Sequence, residues 1–306
     1  MGTLKKGGNK MSNIAMVQKC MDKIRGTVTD SKFPGGVVIG LSGGVDSTLC
    51  AKLCVDALGK DKVAGVVMPE NDSNPEDEIV AHEVADWLGI TCAFADLESL
   101  LSFMDARDLI KGVDWKEAKK YVLTLNPTDA HNSASAAWVR LCMMKLRGRA
   151  YILARIAAEM KAADVQTLNL TEILMGWYDR AGDGVGDIAL LSDLYKTDIY
   201  NLAAFLELPM TVILRASGSG NYPETITDEE HAGMSYGKLD ANLKLLRKGM
   251  DPADVAEHTD TSFVDVVRLR DTMAAAYRQW IAPTGEIFWP QSMRGLEKRT
   301  DYKLGI

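Results

Sequence analysis

Apolar runs of strand length alternate with stretches of helical period through the first third of the chain. Val37–Leu41 is a short run of mostly apolar residues, the pattern of a strand buried on both faces. In residues 48–58, Leu49, Leu53 and Ala57 share one helical stripe, and Gly59 supplies the stop. Val63–Met68 predicts a second strand. Ser73 or Asn74 can cap the next helix, and Pro75 suits its first turn. Ile79, Val80, Val84, Trp87 and Leu88 predict its apolar face, which runs up to Gly89. Residues 90–94 read as a third strand. This β-α-β-α-β order implies a parallel sheet with helices on both faces, a doubly wound α/β fold.

The pattern from 97 to 133 is less regular, with a mixed-charge stretch at 114–120 and the turn pair Asn126-Pro127. A long helix is predicted from Ser135 to Met160, and residues 164–170 resume the sheet. Ser192 is the expected cap of a helix ending near Leu208-Pro209. Residues 215–226 are polar and rich in Gly and Ser, which predicts a mobile loop. Two helical stretches, 228–249 and 261–281, follow. The expected organisation is one domain over residues 14–306 with a helical C-terminal part. A mobile tail, 1–13, would precede it, since residues 1–10 are polar, basic and glycine-rich and lack the apolar stretch of a secretory signal.

Composition narrows the function classes. The 306 residues are 47% hydrophobic and 25% charged, an ordinary make-up for a soluble globular protein. The longest mostly apolar run is broken by Arg140, Lys145, Arg147, Arg149 and Arg155, so no membrane span of roughly 18 residues is expected. The net charge of −7 argues against coating nucleic acid or an anionic membrane. Five cysteines without a CxxC pair read as small buried groups in a reducing, cytoplasmic compartment. Four scattered histidines do not suggest a zinc cluster.

The sharpest chemical signal is Ser42-Gly43-Gly44-Val45-Asp46-Ser47, between the first strand and its helix. Open α/β sheets bind ligands at that edge. The glycines let backbone N–H groups approach an anion, the helix dipole favours it, and Ser42 and Ser47 add hydroxyls. Asp46 would repel a phosphate unless a divalent cation bridges the two, so the turn suggests Mg²⁺ with a polyphosphate. The common GxxxxGK[ST] loop is not present here. Further along, Glu172 follows a strand, Asp183 and Asp187 frame a GDGVGD turn, and Lys196 opens a helix. A cation at a helix start opposes the dipole and calls for an anionic partner.

The strand with Ser42–Ser47 resembles the phosphate loop of ATP pyrophosphatases, which split ATP between its α- and β-phosphates. Thr167, Asn169, Glu172, Gly182, Asp183, Gly184, Asp187, Leu194, Tyr195 and Lys196 together resemble the second signature of NAD synthetases. Met68-Pro69 is similar to that family's adenosine-binding strand end, and Arg147-x-Arg149 to its dinucleotide-binding arginines. The likeness spans roughly residues 14–282. Departures include Cys142-Met143 in place of Glu-Asn and Gln166 in place of Gly.

The resemblance implies a doubly wound, Rossmann-like fold and amidation of deamido-NAD⁺ by ATP and ammonia through an adenylate, with AMP and pyrophosphate released. It implies ATP contacts from Leu41, Ser42, Gly43, Gly44, Val45, Ser47, Thr48, Met68, Thr167, Lys196 and Ser217. Asp46 and Glu172 would ligate Mg²⁺. Asp46, Lys196, Asp183 and Ser217 would serve the chemistry, Asp183 by orienting ammonium or taking its proton. Arg147, Arg180, Asp187, Tyr277 and Arg278 would hold deamido-NAD⁺, and residues 215–226 would close as a lid. The roughly 36 residues before the first strand are too few for an amidase domain, so free ammonia is the expected donor. A homodimer with the dinucleotide at its interface is also implied, while nucleic acid and membrane are not expected partners. The same turn would also suit another ATP pyrophosphatase, nucleotide-amidating or tRNA-modifying, or a non-catalytic adenine-nucleotide sensor.

Overall fold

The computed structural model describes residues 10–122, 133–224 and 226–278. The chain runs α1 (Lys10–Thr27), β1 (Val37–Gly40), α2 (Val45–Leu58), β2 (Val63–Val67), α3 (Pro75–Leu88) and β3 (Thr91–Phe94). It continues through α4 (Leu97–Phe103), α5 (Trp115–Val122), α6 (Ser133–Met160), β4 (Ala163–Gln166), α7 (Leu170–Met175), β5 (Ile188–Ala189) and α8 (Lys196–Phe205). Then come α9 (Met210–Ile213), the short strands β6 (Gly218–Ser219) and β7 (Ile226–Thr227), and α10 (Asp228–Ala232). Helices α11 (Tyr236–Arg247), α12 (Pro252–Thr259) and α13 (Phe263–Arg278) complete the described chain.

The five main strands are parallel, in the order β3-β2-β1-β4-β5. β1 is central, and the order reverses between β1 and β4, the crevice where doubly wound sheets take ligands. Strand alternation builds two cores. Val37, Ile39, Val63 and Val165 pack against α2, α3 and α8. Val38, Ala64, Val66 and Met68 pack on the other face against α4 and α6. A third core joins α7, α11, α12 and α13. This is the doubly wound α/β fold with a helical C-terminal part that the sequence predicts.

Several boundaries differ from the sequence reading. α1 begins at Lys10, inside the segment read as a tail. α2 begins at Val45 with Gly44 as its N-cap, rather than at residue 48, so Asp46 and Ser47 lie in its first turn. β4 stops at Gln166, because Asn169 turns the chain to cap α7. Ser192 is not a helix cap: it is buried, with its hydroxyl toward the Ala189 carbonyl at 3.4 Å, and α8 starts at Lys196. Ile79 and Trp87 on α3 are 59% and 42% exposed, because α3 packs at the outer part of the sheet and buries only Ala81, Val84, Ala85 and Leu88. Cys20, Cys50 and Cys54 are buried, Cys92 and Cys142 half-buried, and all five thiols are free. The expected turn at Asn126-Pro127 lies outside the described residues.

Residues 215–226 also differ from a plain mobile loop. β6 and β7 pair antiparallel as Gly218–Thr227 and Ser219–Ile226. Tyr222 stacks on Trp115 at 5.1 Å between ring centres, and Trp115 meets Trp138 of α6 edge-on at the same distance. Polar composition conceals an aromatic anchor, and together with the Lys145 and Arg149 hydrogen bonds to Asn221 it holds the segment on the core.

Candidate active site

The turn after β1 is built by its own hydroxyls. Ser42 and Ser47 place their Oγ atoms 3.1 Å apart. Ser47 donates to the Gly44 carbonyl at 3.1 Å, and Thr48 donates to the same oxygen at 2.8 Å. Gly43 has φ +71, and a Cβ there would lie 2.8 Å from the Asp77 carbonyl oxygen of α3. Only glycine meets both conditions, so α3 can close on the turn. The result is a helix N-terminal turn at the central sheet crevice, whose first residues carry no side-chain cap and so turn N–H groups toward an anion site.

Asp46, Asn169, Glu172 and Lys196 converge on that turn from three helices. Asn169 caps α7: its Oδ1 accepts from the Glu172 N–H at 2.9 Å, while Glu172 Oε2 accepts from the Asn169 N–H at 3.0 Å. The Asn169 Nδ2 then donates to Asp46 Oδ1 at 3.0 Å. Lys196 is fully buried, and its Nζ donates to Asp46 Oδ2. Its backbone is fixed as well. The Lys196 N–H donates to Thr171 Oγ1 at 3.0 Å, and that hydroxyl donates to the buried Asp240 at 2.6 Å.

A fourth charge completes the corner. Asp228, the first residue of α10, faces Lys196 and receives a hydrogen bond from the Tyr236 hydroxyl. Burial raises the Asp228 pKa against the pull of Lys196. Burial also pushes the Glu172 carboxyl well above its ordinary range, and the Asp46 charge adds to the push. Burial would lower the Lys196 pKa, but Asp46, Glu172 and Asp228 outweigh it and hold the ammonium charged. Three carboxyl groups crowd one ammonium in this corner, and a hard divalent cation would offset the burial and mutual repulsion that raise Glu172 and Asp228. Among the described residues, no three His, Cys, Asp or Glu side chains form a ready metal cage. A cation here would need phosphate oxygens and water to complete its shell.

A cavity of about 1070 Å³ opens from this corner. Of the expected residues, Leu41, Ser42, Gly44, Val45, Asp46, Ser47, Met68, Thr167, Glu172, Asp183, Lys196 and Ser217 all line it. Gly43, within the turn, and Thr48, just after it, do not line the cavity. Ser217 lies 3.0 Å from the Tyr200 hydroxyl, oxygen to oxygen. Asp183 accepts from the Asp179 N–H at 2.7 Å, and burial pushes its carboxyl up to about 7.

Of the expected dinucleotide residues, Arg149 lines this cavity, while Arg147, Arg180, Asp187 and Tyr277 do not. Arg147 is half-exposed and pairs with Asp179 at 2.7 Å. Arg180 is exposed, and Asp187 accepts from the Asp164 N–H at 3.1 Å beside β5. Tyr277 packs near Leu168, Ile173 and Tyr178, and the Arg278 side chain lies outside the described residues. Arg149, the second arginine of that pair, donates to Asn221 Oδ1 at 2.5 Å.

Sequence reasoning assigned no role to Asn169 or Asp228. The N-x-x-E spacing of a capping box and an acidic residue opening a helix were the available signals, but neither reveals which distant group it meets. The buried network around Lys145 was also missed. Its Nζ lies 2.5 Å from Asp72, 3.0 Å from Glu70 and 2.6 Å from the Asn221 carbonyl oxygen, while Arg107 closes the same acids from the other side.

Comparison with known proteins places this geometry. A family model described as NAD synthase matches residues 16–277. The chain is 32% identical over 281 residues to the NH(3)-dependent NAD(+) synthetase of Methanocaldococcus jannaschii, covering 92% of this chain and 99% of that one. It is 35% identical over 229 residues to the enzyme of the same name from Methanosarcina mazei, covering 74% and 80%. Among solved structures, an NH3-dependent NAD synthetase from Campylobacter jejuni superposes with a TM-score of 0.63 at 25% identity, covering 86% of this chain and 93% of that one. The chain belongs to the NAD synthase family.

Proposed function

We propose that this chain amidates deamido-NAD⁺ to NAD⁺ with ATP and ammonia, releasing AMP and pyrophosphate. One observation carries the reading: Asp46, Glu172 and Lys196, far apart in sequence, share one buried corner beside the Ser42–Ser47 turn. Family membership supplies the substrates.

The chemistry follows from what a carboxylate lacks. Oxide is a poor leaving group, so the nicotinate carboxylate first attacks the α-phosphate of ATP and pyrophosphate departs. Ammonia then adds to the acyl-adenylate carbonyl, and AMP leaves. In this reading the Ser42–Ser47 turn holds the departing pyrophosphate through N–H groups and hydroxyls. Lys196 and Ser217 stabilise the charge that develops on the phosphates. Asp46 and Glu172 would hold Mg²⁺, which neutralises phosphate charge when bound. Asp183, titrating near neutrality, takes a proton from ammonium to free the nucleophile. The 215–226 segment, anchored by Tyr222, keeps water from the adenylate.

Arg147, Arg180, Asp187, Tyr277 and Arg278 lie outside the cavity or outside the described residues, which suits a dinucleotide site completed by a second copy of the chain. A homodimer, free ammonia as nitrogen donor and a cytoplasmic location belong to the same reading. Among the described residues, no helix is long and apolar enough to cross a membrane. The test is direct. Protein incubated with ATP, Mg²⁺, ammonium and deamido-NAD⁺ should yield NAD⁺, AMP and pyrophosphate in equal amounts. Pyrophosphate release that does not depend on deamido-NAD⁺ would point to another ATP pyrophosphatase.

A further inference from the structure

Gln166, the last residue of β4, combines three properties. It is 3% exposed, it lines the cavity, and neither its Nε2 nor its Oε1 has a hydrogen-bond partner among the described residues. A buried carboxamide with both ends unpaired is costly and rare, and a ligand that pairs it removes the cost.

Its position says which ligand edge it meets. β1 and β4 pair in parallel through Ile39–Val165, so Gln166 comes up one residue later, beside Gly40. Ala163 and Val165 belong to the core on the α2 side, so alternation turns Gln166 to the α6 side of the sheet. On that side a Cβ on Gly40 would lie 3.2 Å from Met68 Cε and 3.4 Å from Leu153 Cδ1. The floor at Gly40 is therefore flat, and flexible apolar side chains cover it. Two residues beyond Gly40, Ser42 begins the phosphate turn. A flat apolar slot beside a phosphate cradle suits a nucleotide base. A carboxamide donates and accepts side by side, which matches the amino group and ring nitrogen of adenine.

We propose that the Gln166 carboxamide pairs with the adenine edge of ATP and sets base preference at this site. The proposal rests on the ATP-dependent reading above. Deamido-NAD⁺ also carries adenine, so the test separates the two sources. Q166L keeps the volume and removes the polar atoms, and it should fold with an unchanged or raised urea midpoint, since it deletes an unpaired buried amide. Equilibrium binding is measured for ATP and for purine riboside triphosphate, which lacks the 6-amino group. KM is measured for ATP and for deamido-NAD⁺.

The expected result is that wild type binds ATP about tenfold more tightly than the purine analogue, while Q166L binds the two alike. The KM for ATP rises by a similar factor and that for deamido-NAD⁺ is unchanged. A Q166L protein that keeps the wild-type preference overturns the proposal. So does a shift confined to the KM for deamido-NAD⁺, which would put the carboxamide on the dinucleotide. Failure of the amidation reading shows separately, as absence of NAD⁺ formation by wild type.

Discussion

Replacing Gly43 with alanine perturbs the phosphate turn through two effects that the structure separates. The backbone at Gly43 has φ +71, a left-handed conformation that costs an L-residue roughly 1–2 kcal/mol. The added Cβ would also lie 2.8 Å from the Asp77 carbonyl oxygen and 3.2 Å from Val80 Cβ. Both atoms are fixed in α3, so the overlap cannot be relieved by a side-chain rotation, and overpacking of this kind costs about 1–3 kcal/mol. Together G43A should lose roughly 2–5 kcal/mol of stability if the turn keeps its shape. If the turn moves away from α3 instead, stability is spared and the N–H groups leave the phosphates, raising the KM for ATP about tenfold for each 1.4 kcal/mol of lost contact. Urea unfolding and steady-state kinetics, measured on the same preparation, report both outcomes. G44A is the internal control. Gly44 has φ −86, and its Cβ would meet only the movable Ser42 hydroxyl at 3.2 Å, so its stability cost should stay below about 1 kcal/mol. A G43A protein with wild-type urea midpoint and wild-type KM for ATP would refute the reasoning, as would equal destabilisation by G44A.

Glu172→Gln should cut pyrophosphate release by about a hundredfold or more while leaving the urea midpoint unchanged or higher, since it removes a charge that burial and Asp46 oppose; an unchanged rate would dismiss the metal role. Lys145→Met leaves the buried Glu70 and half-buried Asp72 with Arg107, and with Arg149 4.0 Å from Glu70, and should cost about 3–5 kcal/mol in urea unfolding, with a loss under about 1 kcal/mol counting against the network. Asp164 is buried beside Asp187, and burial followed by that charge pushes its carboxyl up to about 7. The folded protein therefore keeps a proton there that the unfolded chain releases near pH 4, so this group's stabilisation is full below about pH 4 and is lost as pH rises through about 7. D164N should flatten the decline in urea midpoint between pH 5 and pH 8, and an identical slope would show that Asp164 does not titrate in that range.

The local pattern in the sequence was enough to find the sheet and its first turn. Val37–Leu41 and Val63–Met68 bury both faces, so their apolar runs carry a signal that needs no partner to read. Gly43, Asp46 and Ser47 announce an anion site because their chemistry is legible at short range. What lay beyond the sequence was long-range pairing. Asn169 falls in a stretch that reads as strand, and only the structure shows it capping α7 and donating to Asp46. Asp228 reads as an ordinary helix start until Lys196 and Tyr236 close on it. Ser192 reads as a cap, yet tertiary packing buries it and starts the helix at Lys196 instead. Residues 215–226 read as mobile because their composition is polar, and the stack of Tyr222 on Trp115 decides otherwise. Periodicity and residue chemistry act over a few positions and are written in the chain itself, whereas ion pairs and stacks between residues a hundred or more apart form only once the sheet has set the distance between them.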